Sequence, residues 1–296
     1  MKNVLLSFFI LVLSVNANAQ NKNKSSAKPG LFWEISGRGL KEPSYLFGTY
    51  HLVGKNFLDT LPATMEYFKK ATAVVGEVVM ESEMAMVQKL MPMMLLKDNS
   101  LDKVLSANEY SEVDSFIKTK TSMDLSMLNG LKPAAVQIML VALIAPKNVS
   151  PENPGLDTYF QTQATAAGKK VLGLETLEEQ GLIMFNQPLP RQKELLLKTV
   201  RESNRMIQES EKLFEDYKRQ DLKAIENAFL DSKDYTPEEM DVLLTKRNNN
   251  WIKIMPGMMA KGPVFFAVGA GHLVGNKGLI ALLKASGYTV KPLAVR

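Results

Sequence analysis

The sequence predicts an α/β fold with α+β character: a mixed central sheet with a large helical insertion, flanking helices and a cleft at the carboxyl ends of the strands. Short apolar runs rich in β-prone residues alternate with longer stretches of helical periodicity. Two glycine-flanked turns, at residues 48–54 and 269–275, each follow one of the apolar runs. Residues 81 to about 147 contain helix signals almost throughout, which predicts the insertion.

The first 19 residues have the three parts of a secretory signal peptide. Lys2 provides the positive start, residues 4–15 are apolar, and Ala17-Asn18-Ala19 is a small-x-small cleavage site. Because the apolar stretch is too short to span a bilayer, we expect cleavage and export to the periplasm or the medium, rather than an uncleaved anchor. The mature chain would begin with a polar, flexible leader over residues 20–29 and contain no transmembrane helix.

Composition excludes several classes of protein and of site. The 296 residues include no cysteine, so disulfides, thiolate metal sites and cysteine nucleophiles are excluded. The net charge is +5, and the basic residues are dispersed rather than clustered with aromatic residues, which argues against nucleic-acid binding. We expect residues 30–296 to form a single domain with a large core. Nothing in the sequence indicates an oligomeric state.

Strand signals open this domain. Residues 31–36 and 44–47 are β-prone runs on either side of a glycine turn, which predicts a hairpin. Pro62 marks the first turn of a helix that continues to Lys70. Residues 73–79 form a nearly continuous apolar run, typical of a buried parallel strand.

The insertion starts with a methionine-rich helix over residues 84–96. Packing in the core is the favoured interpretation of its methionines, and an adaptable peptide-binding face is the alternative. A capping box formed by Ser106 and Glu109 begins another helix. Residues 133–144 are apolar on every side but too short for a membrane span, which predicts a buried helix.

Strands and helices alternate again after the insertion. Asp157 is in position to cap a helix that closes at Gly168. Thr236 and Pro237 begin a helix that we expect to stop before Pro256. The other predicted elements are strands at residues 170–174, 263–268 and 288–293, and helices that begin after Thr176 or cover residues 189–219, 222–230 and 277–285.

The two histidines of the chain lie in matching frames, residues 48–54 and 269–275, which are identical at five of seven positions. Each frame begins and ends with glycine, which permits a positive φ and a close backbone approach in a sharp turn after a strand. Ligands of open α/β sheets bind outside the carboxyl ends of the strands. His51 and His272 are therefore candidate site residues that we expect to lie close together. Local hydrogen bonding in tight turns is the alternative explanation.

Three charged residues are candidate partners of the histidines. Glu77 interrupts the apolar run after the first frame, and a buried carboxylate is costly unless it is paired or binds a cation. Glu175 ends a strand beside a helix N-terminus, whose dipole favours an ionised carboxylate. Arg247, on a helix, could donate a forked hydrogen bond to a carboxylate or an oxyanion. Each also has a structural interpretation, as a charge on a solvated strand edge or helix.

In their order and spacing, these residues resemble the TraB/GumN family. The resemblance covers residues 31–293 and rests on short motifs. These are Gly48-Thr49-Tyr50-His51, Glu77, Asp157, Gly173-Leu174-Glu175-Thr176, Arg247-Asn248 and Gly269-Ala270-Gly271-His272. The family is similar to the Tiki proteins, which are metal-dependent, membrane-associated proteases with two Gly-x-x-His motifs, and more distantly to erythromycin-esterase-like and ChaN-like proteins. The resemblance implies an α/β fold in which the two histidines, the early glutamate and the helix arginine share one cleft.

The resemblance implies a secreted, metal-assisted hydrolase, similar to a peptidase, that acts on a peptide or small-molecule substrate. His51 and His272 would bind Mn²⁺, Co²⁺ or Zn²⁺, with Glu77 as third ligand or as the base on a metal-bound water. Arg247 would stabilise the oxyanion, and Glu175 would orient a group at the metal. One alternative is a metal-free reaction with a histidine as general base oriented by Glu77. The other is a non-enzymatic protein that captures a peptide signal or haem in the same cleft.

Overall fold

The computed structural model describes residues 30–294. The predicted signal peptide and leader, residues 1–19 and 20–29, lie outside the described residues. The centre of the fold is a six-stranded sheet. Its strands, in chain order, are β1 (Phe32–Ser36), β2 (Ser44–Thr49), β3 (Ala73–Gly76), β4 (Lys170–Gly173), β5 (Val264–Gly269) and β6 (Thr289–Pro292).

The sheet is mixed, as predicted, with the strand order β4-β3-β5-β2-β1-β6. β2, β3, β4 and β5 form a parallel set, and β1 pairs antiparallel with both β2 and β6. β2 and β5 are buried along their whole length, as expected for central parallel strands made of continuous apolar runs. The α/β fold class and the first hairpin are therefore confirmed.

Helices form most of the remaining described chain. In chain order, the α-helices are α1 (Thr64–Lys70), α2 (Glu83–Met94), α3 (Leu101–Val104), α4 (Ala107–Lys120), α5 (Pro133–Ile144), α6 (Leu156–Ala166), α7 (Leu177–Phe185), α8 (Leu189–Arg201), α9 (Ser203–Lys218), α10 (Leu222–Leu230), α11 (Pro237–Met240), α12 (Lys246–Met259) and α13 (Leu279–Ala285). Short 3₁₀ segments lie at Lys55–Thr60, Leu125–Leu128 and Ala270–His272, and a π-helical segment, Asp241–Thr245, joins α11 to α12. None of the described helices is long and apolar enough to cross a membrane.

The described chain divides into two compact units. The smaller unit comprises Glu81–Pro146 and Leu177–Ser210. It contains the helices of the predicted insertion together with α7, α8 and the first half of α9. The larger unit comprises the other described residues and contains the sheet. The single-domain organisation stays a prediction.

Aromatic side chains form the core of the larger unit. Phe265 on β5 packs against Phe32, Phe47, Phe68 and Phe160, with ring centroids 5.6, 6.2, 5.4 and 4.8 Å away. Phe68 belongs to α1 and Phe160 to α6, so these contacts fix both helices on the sheet. The sheet thereby positions the first turn of α6, which carries Asp157.

The smaller unit has an apolar core of its own, between α3, α4, α5 and α8. The apolar helix α5 is buried along much of its length, and α4 begins with the predicted capping box, whose two hydrogen bonds are both present. In the methionine-rich helix α2, Met86 and Met94 are buried, whereas Met84 is exposed. At least two of its methionines therefore pack in the core.

Several predicted elements end one to four residues from the expected position, and three of these differences have a clear physical meaning. β3 stops at Gly76, so Glu77 follows the strand instead of lying within it. The helix predicted over residues 189–219 is interrupted at Glu202, whose backbone leaves helical values. α12 does not stop before Pro256 but continues to Met259. Buried methionines on both sides of the proline outweigh the loss of one helical hydrogen bond.

Candidate functional site

Each of the four parallel strands is followed by one candidate residue. His51 follows β2, Glu77 follows β3, Glu175 follows β4 and His272 follows β5. Because the strands are parallel, these residues lie at one edge of the sheet, where ligands of such sheets bind. The turns after β3 and β4 are joined by a backbone hydrogen bond from the Glu175 N–H to the Glu77 carbonyl (2.9 Å).

Arg247 reaches this edge from α12 and binds three of the four residues. Its Nη2 lies 2.5 Å from Glu77 Oε2 and 2.6 Å from Glu175 Oε1, and its Nε donates to both Glu175 oxygens at 3.1 and 3.0 Å. Its Nη1 donates to the Leu243 carbonyl (3.1 Å) and lies 2.9 Å from Nε2 of His272. All five N–H bonds of the guanidinium therefore have acceptors. The expected role of Arg247 as an oxyanion donor does not fit this arrangement.

Two neighbouring turns hold Arg247 in place. Leu243 lies one turn earlier in the π-helical segment, and such segments are frequent at functional sites. Trp251 lies one turn later, with its ring centroid 4.8 Å from the guanidinium carbon, and its Nε1 donates to Glu175 (3.2 Å). The arginine side chain is only 3% exposed, so it is packed against an aromatic face as well as paired.

The two carboxylates differ in their pKa shifts. Burial raises the pKa of Glu77, but Arg247, both histidines and the Gly269 N–H (2.8 Å) lower it to about 2. For Glu175, burial and the charge of Glu77 outweigh the effect of Arg247, so its pKa is raised. Glu77 is therefore the permanent counterion of Arg247, and Glu175 is the more easily protonated of the two.

His272 is fully buried, neutral and fixed in one tautomer. Its Nδ1 lies 2.7 Å from Oδ1 of Asn248, whose amide nitrogen donates to the carbonyls of His272 (3.3 Å) and Lys277 (2.9 Å). Because an amide oxygen only accepts, the ring proton is on Nδ1, and the Nε2 lone pair faces Arg247. Burial and the charge of Arg247 lower the pKa of His272 to about 3, against the opposing effect of Glu77.

His51 has a different environment. Its Nδ1 lies 2.6 Å from Asp157 Oδ2, and Thr49 Oγ1 donates to the other carboxylate oxygen (2.7 Å). Burial alone would lower the pKa of His51, but the charge and the hydrogen bond of Asp157 raise it to about 9. The Nε2 of His51 is buried and has no hydrogen-bond partner among the described residues. Such a nitrogen is a candidate base, acid or metal ligand.

The loop before α6 holds the first histidine turn. The Gly54 N–H donates to Asn148 Oδ1 (2.7 Å), and Gly54 and Gly155 form a backbone bridge. The N–H of Leu156 donates to the Val53 carbonyl (3.2 Å). This loop leads directly into Asp157, so the same contacts that hold the turn also place the carboxylate partner of its histidine.

The two matching frames are in direct contact. Of the glycines that begin and end them, only Gly275 has a positive φ (80°). Gly48 instead allows the backbone of the first frame to approach the second frame closely. A Cβ at this position would lie 3.0 Å from Leu273 and 3.2 Å from Ala270, both in the second frame. Consistent with this contact, the charge of His51 contributes to the pKa of His272.

Comparison with known proteins identifies the family. The profile of the TraB/PrgY/gumN family matches residues 31–292. The chain belongs to this family. It is similar to metalloprotease TIKI1 of Xenopus tropicalis (26% identity, over 97% of this chain and 68% of the relative), TIKI1 of Homo sapiens (25%, 93% and 64%) and TIKI2 of Danio rerio (23%, 88% and 60%). No solved structure matches the chain.

The names of these relatives imply a divalent metal, which in this TraB/PrgY/gumN family member would be bound by His51, His272 and Glu77. As arranged, the three residues do not fit a shared ion. Arg247 engages both the Nε2 of His272 and the carboxylate of Glu77, and its positive charge opposes a metal at this position. Within residues 30–294, no group of three or more His, Asp and Glu side chains has a metal-binding arrangement.

Three residues of the site were given no role in it from the sequence, although Asp157 and Asn248 belong to the motifs that carry the family resemblance. Asp157, predicted as a helix cap, lies in the first turn of α6 and binds His51, while Gly155 is the N-cap. Asn248 and Trp251 contact the imidazole of His272, the latter with ring centroids 4.3 Å apart. Asn248 adjoins Arg247, and Trp251 lies one helical turn after it. This spacing could have indicated that both residues reach the same site as Arg247.

Proposed function

We propose that this TraB/PrgY/gumN family member is a hydrolase that cleaves peptide bonds, with His51 as general base. The observation that carries the proposal is the environment of the imidazole: Asp157 binds Nδ1, while Nε2 has no partner in the described chain. The names of the relatives, which are metalloproteases, support peptide bonds as the substrate class. The chain spans roughly two thirds of the length of these relatives, so their activity is carried over only as part of this proposal.

The proposed reaction uses a water molecule as nucleophile. His51 takes a proton from the water at Nε2 as the water oxygen bonds to the carbonyl carbon of the substrate, and Asp157 stabilises the imidazolium that results. The proton then passes from Nε2 to the leaving nitrogen as the C–N bond breaks, which regenerates the neutral imidazole. Thr49 keeps the Asp157 carboxylate oriented. Asp157 thus takes the orienting role that the sequence suggested for Glu77.

The remaining candidate residues act on His51 through charge in this proposal. Glu77 raises the pKa of His51, and Arg247 lowers it. The guanidinium, the two glutamates and His272 form a buried cluster of fixed charges and dipoles beside the reacting imidazole. We assign these four residues positioning and electrostatic roles.

A metal-assisted reaction is the second candidate, favoured by the unpartnered Nε2 of His51 and by the names of the relatives. Mn²⁺, Co²⁺ or Zn²⁺, when bound, would supply a Lewis acid and lower the pKa of a water molecule. His51 would hold the ion. His272 and Glu77 would become ligands only after Arg247 moved away.

Chelation separates the two candidates. The purified protein is assayed on an internally quenched fluorogenic peptide library, before and after EDTA. Hydrolysis that resists EDTA but is lost in His51→Ala supports the general base, whereas loss in EDTA with recovery in Mn²⁺ supports the metal. The exposed Lys55, close to the same turn, gives the control Lys55→Ala. Full hydrolysis by His51→Ala would overturn both candidates.

If the protein binds its ligand without catalysis, the hydrolysis assay should show no cleavage. Separate binding measurements should then show tight binding of peptides, or a Soret band on mixing with haem, and this binding should survive Glu77→Ala. We also propose that the protein is exported, on the basis of the signal peptide predicted for residues 1–19, which lie outside the described residues.

A further inference from the structure

We infer that Gln161, on α6, is a positioning residue of the site: its side-chain amide holds the turn that carries Glu77, so that one helix fixes both Glu77 and His51. The inference rests on the proposed function only in taking His51 as the reacting group. The position of the Glu77 side chain can be measured without hydrolysis, so the inference and the proposed function can fail independently.

Both groups of the Gln161 amide are hydrogen-bonded to the chain that follows Glu77. Nε2 donates to the Val78 carbonyl (2.9 Å), and Oε1 accepts the Met80 N–H (2.8 Å). A residue of a parallel strand makes the same two bonds, to the carbonyl before and the N–H after the residue opposite it. Gln161 is buried, and an amide engaged through both groups is held in one orientation. The amide therefore continues the pairing of the chain at the point where β3 has ended.

The glycine that ends β3 makes room for this amide. A Cβ on Gly76 would lie 2.4 Å from Nε2 of Gln161 and 3.0 Å from the Val78 carbonyl oxygen. The φ of Gly76 is not positive, so the position requires the absence of a side chain and not an unusual backbone conformation. Gly76 and Glu77 thus place the carboxylate directly beside the space for the group that holds it.

Helix α6 connects the turn of Glu77 with the turn of His51. Asp157, which binds Nδ1 of His51 (2.6 Å), lies one helical turn before Gln161 on the same face. Phe160, between them in sequence, packs in the aromatic core on the sheet. Because a helix is rigid over one turn, its two attachments fix the separation of the two turns. Such precision matters for a reaction, since a displacement of about 1 Å can lower a rate by about 100-fold.

The contacts of the Glu77 carboxylate depend on where this turn places it. Oε2 lies 2.5 Å from Nη2 of Arg247, and Oε1 accepts the Gly269 N–H (2.8 Å). In the proposed reaction the charge of Glu77 acts on His51, and the effect of a charge falls with distance. Loss of the Gln161 amide should therefore weaken the bond to Gly269 and slow the reaction.

The position of Glu77 is measured at the Gly269 N–H by NMR. Gln161→Met keeps a side chain of similar size but removes both hydrogen bonds. It should shift the amide proton signal of Gly269 and speed its hydrogen exchange about 10-fold more than the change in global stability does, because the acceptor moves. An unchanged Gly269 signal would overturn the inference, since a residue that only fills the core leaves the contacts of Glu77 in place.

Gln192 provides the matched control. It is also a buried glutamine on a helix, and its amide also bonds backbone groups, the Gln187 carbonyl (2.6 Å) and the Ala134 N–H (3.3 Å). It belongs to the smaller unit. Gln192→Met should lower stability to a similar extent but leave the Gly269 signal and kcat unchanged. A shift of equal size in both variants would indicate a general loss of packing and would overturn the inference.

Hydrolysis tests whether this position matters for the reaction. On internally quenched fluorogenic peptides, Gln161→Met should lower kcat by about 10- to 100-fold with little change in KM, because catalytic groups are displaced. In a Glu77→Gln background the same substitution should lower kcat much less, since Gln161 acts through Glu77. An equal loss in both backgrounds would overturn the inference. If the wild type cleaves no peptide, the proposed function fails, and the Gly269 signal still decides the role of Gln161.

Gln161→Glu provides a second variant in case Gln161→Met does not fold. When protonated, the new carboxyl can accept from Met80 and donate to Val78 as the amide does, and burial raises the pKa of a carboxyl. The Gly269 signal should therefore match that of the wild type at low pH and move away from it as the new carboxyl ionises. A signal that shows no such change with pH would contradict the inference.

Discussion

Asp157 and His51, 106 residues apart in the chain, form a hydrogen bond of 2.6 Å that places a carboxylate behind the imidazole. His272 instead has the amide of Asn248 behind its ring and Arg247 on its other nitrogen. As a result, two nearly identical sequence frames hold histidines of opposite character. The pKa is raised to about 9 in His51 and lowered to about 3 in His272.

Replacing Asp157 by asparagine should move the pH dependence of hydrolysis to lower pH. If neutral His51 is the base, the wild-type rate rises with pH and levels off above its pKa of about 9. Asp157→Asn removes the charge that raises this pKa and keeps the burial that lowers it. The rise in kcat/KM should therefore move toward or below pH 6.5, the ordinary value for histidine, and the plateau should fall by about 100-fold or more.

Thr49→Val is the matched control for this change. It removes a hydrogen bond to the same carboxylate but leaves its charge, so the rise in kcat/KM should stay near that of the wild type. A pH profile that Asp157→Asn leaves unchanged would show that His51 is not the base.

The effect of Glu77→Gln on the free energy of unfolding should be opposite in the presence and in the absence of Arg247. In the wild type it breaks a buried ion pair with Arg247, which costs about 3 kcal/mol or more of the free energy of unfolding. In an Arg247→Met background, Glu77 is one of two buried carboxylates without their guanidinium, so the same substitution should be stabilising. Urea unfolding of the four proteins measures both effects. Destabilisation of equal size in both backgrounds would contradict the pairing.

The two tryptophans allow a comparison of hydrogen bonds to charged and neutral groups. Trp251 Nε1 donates to the carboxylate of Glu175, and Trp33 Nε1 donates to the Gly30 carbonyl (2.8 Å), while both side chains are buried. Trp251→Phe should cost about 1.5–3 kcal/mol and Trp33→Phe about 0.5–1.5 kcal/mol of the free energy of unfolding. Equal costs in thermal or urea unfolding would contradict a charge-assisted role for Trp251.

The positions of the strands and of the candidate residues were predictable because they depend on local signals. Continuous apolar runs mark the parallel strands, and both histidine turns follow such runs, so the sequence placed His51 and His272 correctly after β2 and β5. The hydrogen-bond and ion-pair partners of these residues were not predictable. A helical arginine has the same local sequence whether it is solvated or, like Arg247, buried among two glutamates and a histidine.

Asp157 shows how a local rule can hide a tertiary contact. An aspartate at the start of a helix favours a capping role, and that rule gave the wrong partner. The partner, His51, is 106 residues away, and the contact depends on the loop that bridges Gly54 and Gly155. No spacing within the sequence encodes that bridge, because it forms only when the helix after the loop packs on the sheet.

The predicted signal peptide should give a mature chain that starts near Gln20. Mass spectrometry of the N-terminus, after expression in an exporting host, measures this directly. Ala19→Asp should block cleavage because the site requires a small residue there, whereas Asn18→Asp, at the tolerant middle position, should not. A wild-type protein that retains residues 1–19 would contradict export by this route.

The two histidines should lower the free energy of unfolding in opposite pH ranges, His51 on the alkaline side and His272 on the acid side. The pKa of His51 is raised in the folded state from 6.5 to about 9, so its contribution is fully present below pH 6.5 and is lost as the pH rises through 9. The pKa of His272 is lowered from 6.5 to about 3, so its contribution is present above pH 6.5 and is lost as the pH falls through 3. The free energy of unfolding should therefore be highest near pH 6.5.

Substitution of each histidine should flatten one side of this curve. His51→Gln should remove the decline on the alkaline side, and His272→Gln should reduce the decline on the acid side, measured as urea unfolding free energies across the pH range. Below pH 4.5 an acid decline should persist in both variants, because Glu77, whose pKa is lowered from 4.5 to about 2, also loses its contribution there. A decline between pH 6.5 and 9 that is unchanged in His51→Gln would contradict the raised pKa of His51, and the general-base proposal would lose its physical basis.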